Sequence, residues 1–324
     1  SESSGSPFWV SDNGSSHSTL YNTAGMPQSL VVSIPAPGDP LGASGTPTGT
    51  AFNITFGTAT PQFKISGFTS TGDPTSQPAV FLFVTEDGTI LGWNPGVNPP
   101  GTPAATAGRH AIIALNHSGS AIYKGMAVAK DASGNAFLYT TNFDSGKVEV
   151  YDGNFNAASG LPDGAFLDPK LQKNFAPFNV AVFGGRVFVT YALKEPGGDD
   201  DVAGQGHGIV NTFDLSGNFL ARFAQHGQLD SPWGMAMAPA GFGPLGGKLL
   251  IGNFGNGRIN AFDPSTGEFF DKLRDSNGQP IVIDGLWALQ FGNGGNGGDL
   301  GKLYFTAGPN GEADGLFGRL TPAE

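Results

Sequence analysis

One pattern recurs along the whole chain and constrains its fold more than any single motif. A β-rich run, a Gly/Asn turn and a second run appear six times. The copies are "PFWVSDNGSSHSTLYN", "VFLFVTEDGTILGWNP", "AFLYTTNFDSGKVEVYDG", "RVFVTYALKEPGGDDDVAGQGHGIVNTFDLSG", "KLLIGNFGNGRINAFDPSTG" and "KLYFTAGPNGEADGLFGRL", beginning near positions 7, 80, 136, 186, 248 and 302. An entry strand precedes five of them: "PTGTAFN", "YKGMAVAK", "PFNVAVF", "SPWGMAMA" and "DGLWALQFG". A period of about 50 residues with four short strands per unit is the signature of a β-propeller.

Each unit then reads as a blade with strands a, b, c and d. The entry strand is a, and its small residues suit inner strands that converge on a crowded axis. No long segment has a 3.6-residue apolar period, so helix content is expected to be small. A β-sandwich would not explain a whole-unit repeat. The expectation is an all-β, six-bladed β-propeller forming a single domain over residues 1–324. The first blade is expected to be incomplete, because the chain opens on strand b and its last unit shows only a, b and c. Two connections are lengthened. Residues 57–78 enlarge the a–b connection of blade 2, and residues 194–208 enlarge the b–c connection of blade 4. Long loops in compact domains often carry function.

Charge narrows the partners. Only 13% of residues are charged and the net charge is -11, from 16 basic and 27 acidic residues. Phosphate backbones need concentrated Lys and Arg, so nucleic acid is an unsuitable partner. The chain has no cysteine, which excludes a disulfide framework and thiolate metal sites. No apolar run approaches the roughly 18 residues of a membrane span. A signal peptide is absent from this chain, but a mature exported protein would have lost one.

The entry motifs together with their b–c runs resemble NHL-type six-bladed propellers. "SPFWVSDNGSSHSTLYN", "EDGTILGWNP", "YKGMAVA", "APFNV", "DDDVAGQGHG", "SPWGMAMAPAGFG", "GNFGNGRINAFDPSTG" and "IVIDGLWALQFGNG" resemble more closely an uncharacterised family of exported bacterial proteins. That resemblance covers nearly the whole chain. It implies the propeller fold, an extracellular or periplasmic location, and a further strand ahead of "PFWVSDN". It implies no activity.

Strands alternate direction within a blade, so b–c and d–a connections emerge on one face. This sorts the polar residues. The b–c turn of blade 4 carries Asp199, Asp200, Asp201 and His207. The d–a loops are expected to carry His110, His117, His226, Asp230, Asp275 and Asp284. Adjacent acids repel without a partner, and hard cations take six to eight oxygen ligands. Asp199 and Asp201, with Asn179 and Asp284 at strand-a starts, therefore form a candidate divalent-cation set, with calcium the best fit. The competing reading is hairpin chemistry, since Asn, Asp and Gly tolerate positive φ in turns. His117, His226 and His207 form a candidate zinc or copper set. Trp233 and Trp287 lie in strand a; either packs the core or stacks on a sugar or aromatic ligand.

No Gly-x-Ser-x-Gly, His-Glu-x-x-His or phosphate-binding glycine loop in a strand-to-helix context occurs. The leading expectation is a binding scaffold that holds a small molecule, a glycan or a protein on the b–c/d–a rim. The alternative is a divalent-metal hydrolase of the lactonase or arylesterase propeller kind, in which the metal polarises a carbonyl and activates water. The strand-a starts Thr48, Lys124, Phe178, Trp233 and Leu286 offer it few ligands.

Overall fold

A computed structural model describes residues 5–322. Among them, the only helical segments are three 3-10 turns. Two compact units emerge, one of residues 8–21 and 26–161, the other of residues 5–7, 22–25 and 162–322.

The first unit opens with a sheet of β1 (Phe8–Asp12), β2 (His17–Tyr21) and β3 (Pro27–Ser33) in sequence order. Next comes β4 (Pro47–Phe52), followed by a separate hairpin of β5 (Lys64–Phe68) and β6 (Pro74–Pro78). The main sheet resumes with β7 (Phe81–Thr85), β8 (Thr89–Trp93) and β9 (Ile112–Asn116), in the order β4-β7-β8-β9. A third sheet holds β10 (Tyr123–Lys130), β11 (Ala136–Asn142) and β12 (Lys147–Asp152).

The second unit repeats the plan. Its sheets are β13 (Phe175–Phe183) to β14 (Arg186–Leu193), β15 (Gly208–Asp214) and β16 (Phe219–Gln225); then β17 (Pro232–Met237), β18 (Leu249–Asn253), β19 (Ile259–Phe262) and β20 (Phe269–Lys272); then β21 (Leu286–Phe291), β22 (Leu303–Ala307) and β23 (Leu316–Leu320). Every pairing within these sheets is antiparallel between consecutive strands.

Burial shows how the sheets stack. Each residue of β7, β8, β18 and β19 is buried, on both faces of its sheet. Such strands read as continuous apolar runs because both faces are covered. In the first unit Leu82 and Ile90 of the second sheet share a core with Leu138 and Tyr151 of the third. In the second unit Phe188 and Val210 pack with Leu249 and Ile251, and Leu250 and Ile259 with Leu286 and Leu303. Within each unit, consecutive sheets thus meet face to face. The inner strands crowd, as their small residues imply. A Cβ at Gly234 of β17 would lie 2.5 Å from the carbonyl oxygen of Trp287 and 2.9 Å from Leu289. This repeated stacking of antiparallel four-stranded sheets is a β-propeller.

Three local outcomes differ from the sequence reading. The third sheet ends after three strands. Beyond β12 the chain runs in turns through Pro162 and Pro169, with Phe155 and Phe166 buried at φ 62° and 59°. Proline removes ladder donors, so no fourth strand forms there. Residues 57–78 are not an open loop but the β5–β6 hairpin, whose Phe63 and Ile65 enter the core. His110 is not on a d–a loop. The Pro- and Gly-rich stretch after β8 delays strand d until Ile112, so His110 lies in the c–d connection and bridges Ser33.

Candidate functional site

The second unit gathers aromatic rings where strand-a starts meet b–c turns. Trp287 enters on β21, Trp233 on β17 and Phe178 on β13. Phe254 comes from the turn between β18 and β19. Phe254 stacks on Trp287 with centroids 4.1 Å apart and planes at 26°. Trp233 meets Trp287 edge-on, at 5.5 Å and 87°. Phe178, fully buried, closes the base at 5.7 Å from Trp287. Trp233, Phe254 and Trp287 are each half-buried, leaving part of the cluster open to solvent.

Backbone and polar groups hold these rings. The Trp287 indole Nε1–H donates to Glu312 at 2.7 Å. Glu312 sits at φ 65° in the b–c turn of the last sheet, and its N–H donates to Gly308. Gly308 in turn donates to Gly285, where a Cβ would lie within 2.1 Å of the Gly308 carbonyl. Ser231, at φ 45°, accepts from the Phe254 N–H. Non-glycine residues at positive φ are costly and persist where the surroundings enforce them. Asn179 spends its amide on the cluster's support, donating to the Trp233 carbonyl at 2.7 Å while its own oxygen accepts from Val180.

Beside the lengthened b–c connection lies an open cleft of about 640 Å³. Its walls include Gln172, Lys173, Phe175, His207, His226 and Gly227. The His207 Nδ1 pairs with the Val202 carbonyl at 2.8 Å, and the His226 Nδ1 with that of Gly206 at 2.8 Å. Gln172 lies 3.0 Å from the His226 Nε2.

His117 belongs to a network in the first unit. Tyr123 and Tyr151 both donate to the same Glu149 oxygen, at 2.8 and 2.6 Å. With both phenol protons committed, the His117 Nδ1 is the donor to the Tyr123 oxygen, 2.7 Å away. Asn142 donates to the other Glu149 oxygen at 2.8 Å. Burial pushes both phenols well above their ordinary range, and the Glu149 charge adds to the shift. They remain protonated donors, so the network positions His117 and supplies no phenolate.

The candidate cation ligands do not converge. Asp199 and Asp200 are exposed in a turn closed by its own backbone: Glu195 N–H donates to Asp200, and Lys194 bridges Asp201. Asp284 accepts the Asn310 N–H at 2.9 Å. Asn179 is committed as described. Among the described residues no three His, Asp or Glu side chains group as a metal site. The turn asparagines of "GNFGNG" serve the hairpin: Asn253 donates to Asn256, which caps Arg258.

Sequence reasoning named Trp233 and Trp287 but missed Phe254 and the Tyr123–Tyr151–Glu149 network. One signal was available, since Glu149 and Tyr151 are two apart on β12 and so share a face. Nothing local marked Phe254, which lies inside a hairpin turn.

No protein-family model matches the chain. It is 34% identical over 280 residues to "Uncharacterized protein L690" of Acanthamoeba polyphaga mimivirus, covering 85% of this chain and 67% of that protein. It is 32% identical to "Uncharacterized protein R648" of the same virus, over 85% of this chain and 62% of the relative. The chain belongs to the family of these mimivirus proteins. It spans about two thirds of their length. The relatives are viral, and nothing in them supports the bacterial origin that the sequence resemblance implied.

Two solved structures share the fold. One is a "glucose dehydrogenase", with TM-score 0.52, 11% identity, and 98% of this chain and 93% of that one covered. The other is the PQQ-bound aldose sugar dehydrogenase of Streptomyces coelicolor, with TM-score 0.51, 13% identity, and 97% and 92% covered. At these identities the likeness concerns the propeller fold.

Proposed function

We propose that this propeller is a ligand-binding protein that takes a carbohydrate on the aromatic cluster of its second unit. The supporting observation is a pair of half-exposed indoles at right angles, with Trp287 locked by Glu312. Rigid aromatic side chains give contact area at small entropic cost, and their faces suit the C–H surface of a sugar ring. The Asp284, Glu312 and Asp314 carboxylates in the adjoining loops supply acceptors of the kind that sugar hydroxyls require.

Intrinsic tryptophan fluorescence, titrated with cellohexaose and chitohexaose, tests this reading. Binding should shift or quench the emission saturably. Trp287→Ala should weaken it by about 2 kcal/mol, roughly thirtyfold, the cost of truncating a central aromatic anchor. Trp93→Phe, in the first unit, should leave the affinity unchanged. An emission indifferent to both oligosaccharides, or an affinity untouched by Trp287→Ala, counts against the proposal.

A further inference from the structure

The cleft beside residues 194–208 uses none of the residues of the aromatic cluster, so its assignment stands or falls separately. Its wall offers two kinds of hydrogen-bonding group that no described residue engages. A carbonyl only accepts, so the His207 Nδ1 facing Val202 carries the proton, and the Nε2 of the neutral ring keeps its lone pair. That Nε2 has no partner among the described residues, and calls for a hydroxyl donor. Opposite in kind are two donors. The Gly227 N–H and the exposed Lys173 ammonium have no acceptor among the described residues. Gly227 follows His226 in a turn where both have positive φ, 57° and 52°. His226 itself is already engaged, donating to Gly206 and accepting from Gln172.

Two further features narrow the guest. Among the described residues no Asp or Glu lines the cleft, although acids outnumber bases 27 to 16 in the chain. The half-buried Phe175 ring contributes an apolar wall, packed at 77° against His226. A complementary molecule therefore carries a hydroxyl donor, an anionic group and an apolar face. The volume falls in the range of small-molecule sites.

We infer that this cleft binds an acidic sugar, a pyranose bearing a carboxylate. Its hydroxyl donates to the His207 Nε2, its carboxylate takes Lys173 and the Gly227 N–H, and its C–H face lies on Phe175. Inorganic phosphate lacks the face, and a neutral hexose lacks the charge.

NMR of the full chain labelled with 13C at histidine, titrated with glucuronate, glucose and inorganic phosphate, tests this. Glucuronate should saturate and move the His207 and His226 signals while leaving His17 and His110 in place. Glucose and phosphate should each bind about tenfold more weakly or worse, the loss expected when a charged hydrogen bond or a packed face is missing. Lys173→Gln should weaken glucuronate by a similar factor, and Lys170→Gln, an exposed neighbour, should not. Signals that stay fixed at about 20 mM glucuronate, a range far weaker than specific recognition, overturn the inference. So does equal affinity for glucose or phosphate, or indifference to Lys173→Gln.

Discussion

At the scale of single residues, His110 shows how a position on the chain can mislead about a side chain. It is 6% exposed, and neither ring nitrogen has a hydrogen-bond partner. Burial holds its proton affinity below the ordinary value of 6.5. The unfolded chain therefore binds a proton at higher pH than the folded one, and between those two values stability rises with pH. Acidification from pH 7 to 5 should lower the melting temperature. His110→Leu keeps the burial and removes the titration. The variant's melting temperature should fall by less over that interval. Calorimetry at the two pH values reads it, and parallel curves for the two proteins would show that His110 does not titrate this way. The depressed carboxylates Asp168, Asp214 and Asp263 fall outside this window. Their contribution is lost only as pH drops below the ordinary carboxylate range. Trp233 and Trp287 were legible as strand-a residues, but their sequence separation hid that one ring presents its edge to the other.

At the scale of elements, the β5–β6 hairpin shows what periodicity omits. Residues 57–78 are rich in Thr, Ser, Gly and Pro and read as loop, yet Ile65 lies on the core side of a hairpin over Gly92. A Cβ on Gly92 would approach the Ile65 Cγ2 to 2.7 Å, so the glycine makes room for the isoleucine. Ile65→Ala should destabilise the first unit by about 3 kcal/mol, whereas Ser76→Ala on the exposed side should cost under about 0.5 kcal/mol. Urea unfolding compares the two, and equal effects would mean that the hairpin is not part of the core. The lengthened connection at 194–208 was legible as an exception among its sister turns. Its acids suggested a cation, but what lies beside it is a cleft walled by histidine, glutamine and lysine. The hairpin closure of 195–200 turns Asp199 and Asp200 outward, away from a common centre.

At the scale of the whole molecule, the repeat carries the fold. The six recurring runs correspond to six of the seven antiparallel sheets, the β5–β6 hairpin being the seventh, and the crowded glycine-bearing strands are the inner ones. The absence of a grouped set of acids or histidines among the described residues leads to a stability prediction. Dialysis against EDTA should leave the melting temperature unchanged within about 2 °C. A fall larger than about 4 °C, with metal found at stoichiometric amounts, would restore a structural cation. Periodicity and turn chemistry are properties of neighbouring residues, so the order of residues determined the strands and the repeat. The aromatic cluster, the tautomer of His207 and the Tyr123–Glu149–Tyr151 network were decided by tertiary structure. The cluster joins residues of different sheets, so only the stacking of sheets sets which of its rings meet; Tyr123 reaches Glu149 and Tyr151 across β11 of one sheet, and His207 reaches the Val202 carbonyl within one connection.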